Sequence, residues 1–338
     1  MANHTPQKIL IIRWGGLGDV ALCSALIEDV ARHYPEAQLH FNVEPPWHHL
    51  FSADKRIYKL HVQKVRGTPK WQSLKTFLKM MRTERFDLVL DLQSNDRTRL
   101  YLSAARLAGF APKAISGMKS VYPYGKNTGF ADPNRYAFDC YASVTQALDI
   151  PRVAMHPVFS LAVESGEKAR DIATEHGLVG QRFAILVPGS SAAGKQKRWG
   201  VHNYIALAEI LKQSGKIDRV AIFGAGEEQA ECDAIVQPLG SFAVNLCNKT
   251  PLDVIPALVS ASVGMVSNDT GVGHIAAAAD KPLLLICGPT LAERVKPLGQ
   301  QVMSFQADPA LFKQDDTAKT AMDTVEPSRV ADALLNAI

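Results

Sequence analysis

The sequence predicts an α/β protein built of two doubly wound, Rossmann-like domains. Three observations carry this. Short apolar runs recur along the chain, each followed by a glycine-rich or polar turn and then by apolar residues at helical spacing. Residues 263–287 read as strand, polar turn, alanine-rich helix and strand, a βαβ crossover that needs a parallel sheet behind it. The 338 residues exceed one small core, and domains of ~100–200 residues make two the natural count.

In order, residues 8–13 (KILIIR) are a strand. Residues 14–19 (WGGLGD) are a glycine-rich turn, and a helix follows over 20–33, stopped by Pro35. Residues 38–43 alternate and give a second strand. A loop opens at Glu44-Pro45-Pro46, and a basic region with a helix near 71–83 follows. Residues 87–91 (DLVLD) are a third strand, and 97–107 a helix. Residues 117–133 mix glycine, proline, aromatics and lysine, which reads as an irregular loop and not a core element. A helix over 136–148 precedes a linker from Asp149. The second half repeats the rhythm: helix 166–176, strand 183–187, helix 202–214, strand 219–223, helix 229–236, strand 243–246 and helix 251–260. The crossover at 263–287 follows, and a terminal helix spans 326–338.

Composition narrows the function. A hydrophobic share of 47% with 21% charged residues is that of a globular protein. No apolar run approaches the ~20 residues of a membrane span, and residues 9–12 are too short for a signal-peptide core, so a cytoplasmic protein is expected. Five scattered cysteines without a CxxC pair point to reduced, mostly buried thiols. Residues 1–150 hold 20 lysines and arginines against 13 acids, a balance of +7, and the remainder 17 against 20, a balance of −3. Residues 55–85 carry ten basic side chains and a single acid, Glu84. Such a patch suits a phosphate-bearing partner, or is a solvated helix face. No nucleic-acid module accompanies it.

Four turns concentrate polar chemistry at predicted strand ends, where ligands bind in open α/β sheets. Asp269, Thr270, Gly271, Gly273 and His274 suit a hydroxyl-rich, phosphorylated ligand, or make a capped turn with a structural histidine. Gly16-Leu17-Gly18-Asp19-Val20-Ala21 fits the dinucleotide pattern GxGxxA, with Glu44 where a ribose-binding acid would stand. Asp19 would repel a pyrophosphate there, and fits better as a base for an incoming hydroxyl or as a helix N-cap. Residues 189–195 match GxxxxGK, but Gln196 replaces the Mg²⁺-binding Ser/Thr, which excludes a phosphate-loop NTPase. The basic cluster Lys195, Lys197 and Arg198 still suits a diphosphate. Glu227 and Glu228 either bond ribose hydroxyls or charge a helix N-terminus.

Several blocks in sequence order resemble the bacterial heptosyltransferases of glycosyltransferase family 9. They are KILIIRWGGLGDV, FDLVLDLQSNDRTRL, AILVPGSS, KRWG, FGAGEE, VSNDTGVGHIAAAADKPLLLICGPT and ERVKPLG. The resemblance implies the GT-B architecture, two Rossmann-like domains facing across a cleft. Residues 1–155 would bind the acceptor, 156–320 the nucleotide sugar, and 321–338 form a terminal helix, with the N-terminal domain one place for it to pack back. It implies an inverting transfer from ADP-heptose to the lipopolysaccharide inner core, without cofactor or catalytic metal, with Asp19 as general base. Donor contacts fall on Gly16, Ser190, Ser191, Lys197, Glu227, Glu228, Asp269, Thr270, Gly271 and His274. Lys55, Arg56, Lys59, Lys64, Arg97 and Lys119 become candidates for holding an anionic glycolipid acceptor at the cytoplasmic face of the inner membrane, and no nucleic acid is expected. Another nucleotide sugar or acceptor is the alternative, and an NAD oxidoreductase using Gly16, Gly18 and Ala21 a distant one. Gly200 stands where the family has KRWP, and no acids follow Ser190-Ser191.

Overall fold

The structure is a computed structural model that describes residues 5–127, 132, 134–190, 192–313 and 321–338. The chain divides into two compact units, Met1–Ala162 and Val163–Ile338.

The first unit is a parallel sheet of β1 (Lys8–Arg13), β2 (Gln38–Val43), β3 (Ile57–Val62), β4 (Leu88–Asp91), β5 (Ala114–Gly117) and β6 (Lys126–Asn127). Its order is β3-β2-β1-β4-β5-β6. Ile9 to Ile12 are buried because β1 lies between β2 and β4 and meets side chains on both faces. Helices α1 (Leu17–His33), α2 (Lys70–Glu84) and α3 (Asp96–Leu107) connect strands, and α4 (Ala137–Gln146) follows β6. α2 is lysine-rich, yet Ser73, Phe77 and Met81 recur every fourth residue and supply one buried stripe. Asn95 and Thr98 close a reciprocal capping box at the start of α3. Trp14, from the predicted turn, is a core residue: it packs edge-on to Phe77 and donates its indole N–H to Asn42 Oδ1 at 2.7 Å.

The second unit repeats the plan with β7 (Phe183–Val187), β8 (Arg219–Ile222), β9 (Ala243–Asn245), β10 (Gly264–Asn268), β11 (Leu283–Cys287) and β12 (Val302–Gln306). Their order is β12-β11-β10-β7-β8-β9, all parallel. Its helices are α5 (Val163–Glu175), α6 (Val201–Gln213), α7 (Gln229–Leu239), α8 (Ile255–Ala261), α9 (Gly271–Ala276), α10 (Ala292–Val295) and α11 (Pro327–Ala337). In both sheets the strand order reverses beside the first strand of the unit. The crevices at these switch points, β1/β4 and β7/β10, are where doubly wound sheets bind ligands.

Several expectations need correction. The stretch 117–133 is not simply a loop. Its Lys126–Asn127 pair extends the sheet, and Tyr124 is buried with its hydroxyl donating to Asp91 Oδ2 at 2.8 Å. Part of that stretch, including Phe130 and Pro133, lies outside the described residues. The basic region contains the edge strand β3. Residues 156–162 belong with the first unit: Phe159 packs on Phe51, and the carbonyl of Val158 accepts from Arg56. The terminal helix belongs with the second unit. Val330, Ala331 and Leu334 of α11 enter its core beside α6, and Val325 just before accepts the indole N–H of Trp199.

All five cysteines are unbridged, and four are buried. No helix among the described residues is long and apolar enough to cross a membrane. Because Leu334 is fully buried, Leu334→Ala should leave a cavity and cost about 3 kcal/mol in the second unit. Urea denaturation measures this, and an unchanged midpoint would mean that α11 docks weakly.

Candidate functional site

Each switch point carries a cluster of polar side chains. In the first unit the cluster starts from Arg13, the last residue of β1. Its side chain is only 6% exposed, so the charge needs compensation. Nη1 donates to the carbonyl of Leu92 beyond β4 at 2.7 Å, and Nη2 pairs with Asp19 Oδ2 at 2.7 Å. The Tyr141 hydroxyl of α4 donates to Asp19 Oδ1 at 2.6 Å, and the guanidinium lies 4.4 Å from the Tyr141 ring centre. Asp19 is therefore held from two sides, with its side chain 35% exposed. Burial first, then the Asp19 charge, raises the Tyr141 pKa, so the phenol remains a donor.

The helix cap is Gly16, without a side-chain cap bond, so Asp19 sits within the first turn and is not the N-cap. Gly15 has a steric reason: a Cβ there would stand 2.7 Å from Arg13 Nη2. Glu44 is committed elsewhere. Buried at the end of β2, it accepts from the backbone N–H groups of Val65 and Arg66 and pairs with the Arg66 side chain. That removes the acid which a ribose would need in the dinucleotide reading.

In the second unit Asn268 is the organiser. It is the last residue of β10, fully buried, where a turn residue is expected. Its amide N–H groups reach the carbonyls of Pro188 and Gly189 after β7. Its Oδ1 accepts from the Trp199 backbone N–H at 3.2 Å and the Tyr204 hydroxyl at 3.1 Å. One side chain thus ties three segments together. Beside it Lys197 Nζ meets Asp269 Oδ2 at 2.6 Å. Thr270 is the N-cap residue of α9 by position, although it makes no side-chain cap bond, and Gly271 opens the helix. Asp269 meets Lys197, and the Thr270 hydroxyl stands 3.4 Å from Ser267 Oγ. His274 is buried on α9.

Arg198 joins the next turn to this one. It donates to Ser190 Oγ and to the Ser190 carbonyl, and pairs with Glu231; Glu227 and Glu228 lie 3.7 and 3.9 Å away. Glu228 Oε2 accepts from the Ala225 N–H, and burial raises its pKa. A Cβ at Gly189 would fall onto the Glu228 carboxylate, which would have to move. Ser191 lies outside the described residues. The basic cluster is thus not a bare anion trap: Lys197 and Arg198 each face acids of the same turns.

The family model described as glycosyltransferase family 9 (heptosyltransferase) matches residues 124–322. The chain belongs to glycosyltransferase family 9. This family-9 transferase is 24% identical to lipopolysaccharide heptosyltransferase 2 of Salmonella typhimurium, over 97% of each chain. It is 32% identical to lipooligosaccharide heptosyltransferase 2 of Haemophilus influenzae over a shorter stretch, 45% of this chain and 46% of that protein. Among solved structures, a family 9 glycosyl transferase from Veillonella parvula superposes with a TM-score of 0.82, at 17% identity, covering 98% of this chain and 97% of that one. The Escherichia coli heptosyltransferase WaaC solved with ADP gives a TM-score of 0.73 at 16% identity, covering 98% and 100%. These likenesses establish the fold: two parallel sheets in the GT-B arrangement.

The transferase's candidate acceptor-side cations differ in availability. Lys55 and Lys64 are exposed. Arg56 is taken by Asp54 and Glu28, Lys59 by Glu84, Arg97 bonds the Val65 carbonyl, and Lys119 lies 3.7 Å from Asp96. Sequence reasoning missed Arg13, Tyr141 and Asn268 as site residues, and counted Arg198 only as a charge. Arg13 alone left a signal, a cation closing an otherwise aliphatic strand.

Lys197 and Asp269 should behave as one unit. In a double-mutant cycle on Lys197→Met and Asp269→Asn, unfolding free energies should show coupling of about 1–3 kcal/mol. Additive effects would mean that the pair is incidental.

Proposed function

We propose that this glycosyltransferase moves a heptosyl group from ADP-heptose to a hydroxyl of the lipopolysaccharide inner core, by a single displacement that inverts the anomeric centre. The observation that carries the proposal is the match along nearly the whole chain to a lipopolysaccharide heptosyltransferase, with a fold shared by a heptosyltransferase solved with ADP. Another nucleotide sugar or acceptor remains within the family's chemistry, and donor competition separates these readings.

An acceptor hydroxyl becomes a nucleophile as its proton leaves, and Asp19 is the base assigned to take it. Arg13 and Tyr141 each occupy one lone-pair site of this carboxylate. Its side chain is 35% exposed, so an acceptor hydroxyl can approach the carboxylate from solvent. The departing ADP gathers negative charge on its diphosphate. Lys197 has three N–H groups; Asp269 takes one and orients the ammonium, leaving the others for phosphate oxygens. The backbone N–H groups at Thr270-Gly271 add a helix-terminal field. Gly16, Ser190, Ser191, Glu227, Glu228 and His274 complete the assigned donor contacts. These groups stabilise the leaving charge without calling on a metal ion, so transfer should persist in a chelator.

The acceptor is an anionic glycolipid on the cytoplasmic face of the inner membrane. Exposed Lys55 and Lys64, and Trp71 at 70% exposure among the lysines of α2, suit such a surface. Asp19→Ala should lower transfer at least a thousandfold while ADP affinity by calorimetry changes less than threefold. Near-normal turnover would remove Asp19 from the chemistry. Lys55→Glu with Lys64→Glu should raise the acceptor KM severalfold and leave that for ADP-heptose unchanged. Should both constants stay put, the patch is only solvated surface.

A further inference from the structure

Away from the switch points, three side chains of the first unit converge. His40 Nδ1 on β2 lies 2.9 Å from His61 Nε2 on β3, and 4.0 Å from Oε2 of Glu84, the last residue of α2. The three ligating atoms all lie within 4.8 Å of one another. No other group of three or more histidine, cysteine, aspartate or glutamate side chains that could hold a metal ion is found among the described residues. We propose that His40, His61 and Glu84 form a structural Zn²⁺ site that fastens the edge strand β3 and the end of α2 to β2.

The donor set narrows the ion to one that accepts nitrogen ligands. Two imidazoles and one carboxylate suit Zn²⁺, whereas Ca²⁺ and Mg²⁺ take oxygen. In a tetrahedral site with bonds of about 2.0–2.1 Å, ligand atoms stand roughly 3.3 Å apart. The separations of 2.9 and 4.0 Å bracket that value, so rotamer adjustments of Glu84 and His61 complete the geometry. His40 is fully buried and its position fixed by the sheet, while His61 and Glu84 are half-buried and leave a side open for a water ligand. Lys59 Nζ holds Glu84 Oε1 at 2.6 Å, leaving Oε2 directed at the imidazoles. Lys59 is 51% exposed, so its charge can move into solvent when a cation binds. Phe86 closes the apolar side, its ring centre 5.1 Å from that of His40.

The location gives the role. Lys8, which begins β1, donates to the Glu84 carbonyl, and His40 lies in the first half of β2. His61, paired with Asn42, lies in the second half of the edge strand β3, so the cluster sits on the β2–β3 side of the sheet by the end of α2, away from the β1/β4 switch point that carries Asp19. An ion there stabilises the folded unit and leaves the transfer chemistry to other residues.

The test uses the full chain, stripped with a chelator that is then removed, and titrated with Zn²⁺ against a chromophoric chelator. One Zn²⁺ per chain should bind and raise Tm. His61→Ala and Glu84→Gln should each weaken binding at least tenfold and abolish the Tm rise, while their metal-free circular dichroism matches the parent. These variants avoid His40, whose replacement could unfold the sheet. The proposal is overturned if the folded parent binds no Zn²⁺, if the variants bind as tightly as the parent, or if Cys140→Ser is the change that removes binding. Heptosyl transfer is not the readout, so failure here leaves the donor and acceptor assignments standing.

Discussion

Arg13 sets the main constraint on the first unit. Its guanidinium ends a strand buried on both faces, where an uncompensated charge would cost several kcal/mol. The Leu92 carbonyl, the Tyr141 hydroxyl and the Asp19 carboxylate answer that demand. The consequences spread outwards. Gly15 must lack a side chain for the guanidinium to fit, α4 must bring Tyr141 over the crevice, and the loop after β4 must point a carbonyl inward. Asp19 is fixed by the same contacts that keep Arg13 stable. The residue assigned to move a proton is thus held in place by a packing requirement.

The second unit solves a related problem with a neutral group. Asn268 has two donors and an acceptor with two lone pairs, and its neighbours use all of them. A buried amide satisfied in this way fixes backbone positions without bringing a charge. The turns after β7 and β10 are therefore set with respect to each other, and Lys197 follows because Trp199 is anchored just beyond it. The two halves differ accordingly: an ion pair at β1/β4 and an amide hub at β7/β10, each at the point where strand order reverses.

Much of this was legible in the sequence. The strands 8–13, 183–187 and 283–287 were readable because a buried parallel strand is a short aliphatic run between polar punctuation. Edge elements were not. β3 mixes Tyr58, Lys59 and His61 because one side of it faces solvent, and β6 is a two-residue pairing inside a glycine-rich stretch, too short for any period to register. The site was legible as turns and not as partnerships. Asp19, Lys197 and Asp269 stand out by type and position, but that Lys197 meets Asp269 across 72 residues, or Tyr141 meets Asp19 across 122, is set by tertiary packing. Asn268 looked like a turn residue because asparagine usually is one; burial beside β7 made it the strand's last residue. Glu44 was misleading for the same reason, an acid at a strand end whose bonds go to the next loop.

The central claim is a single in-line displacement, with a base on one side of the anomeric carbon and a stabilised diphosphate on the other. The anomeric configuration of the product tests it most directly. Purified enzyme is supplied with ADP-heptose and a truncated lipopolysaccharide acceptor, and the new linkage is assigned by NMR from its one-bond C–H coupling. The account predicts a configuration opposite to that of the donor. Retention would contradict it, since it would require a double displacement or same-face attack in which Asp19 is not the base described.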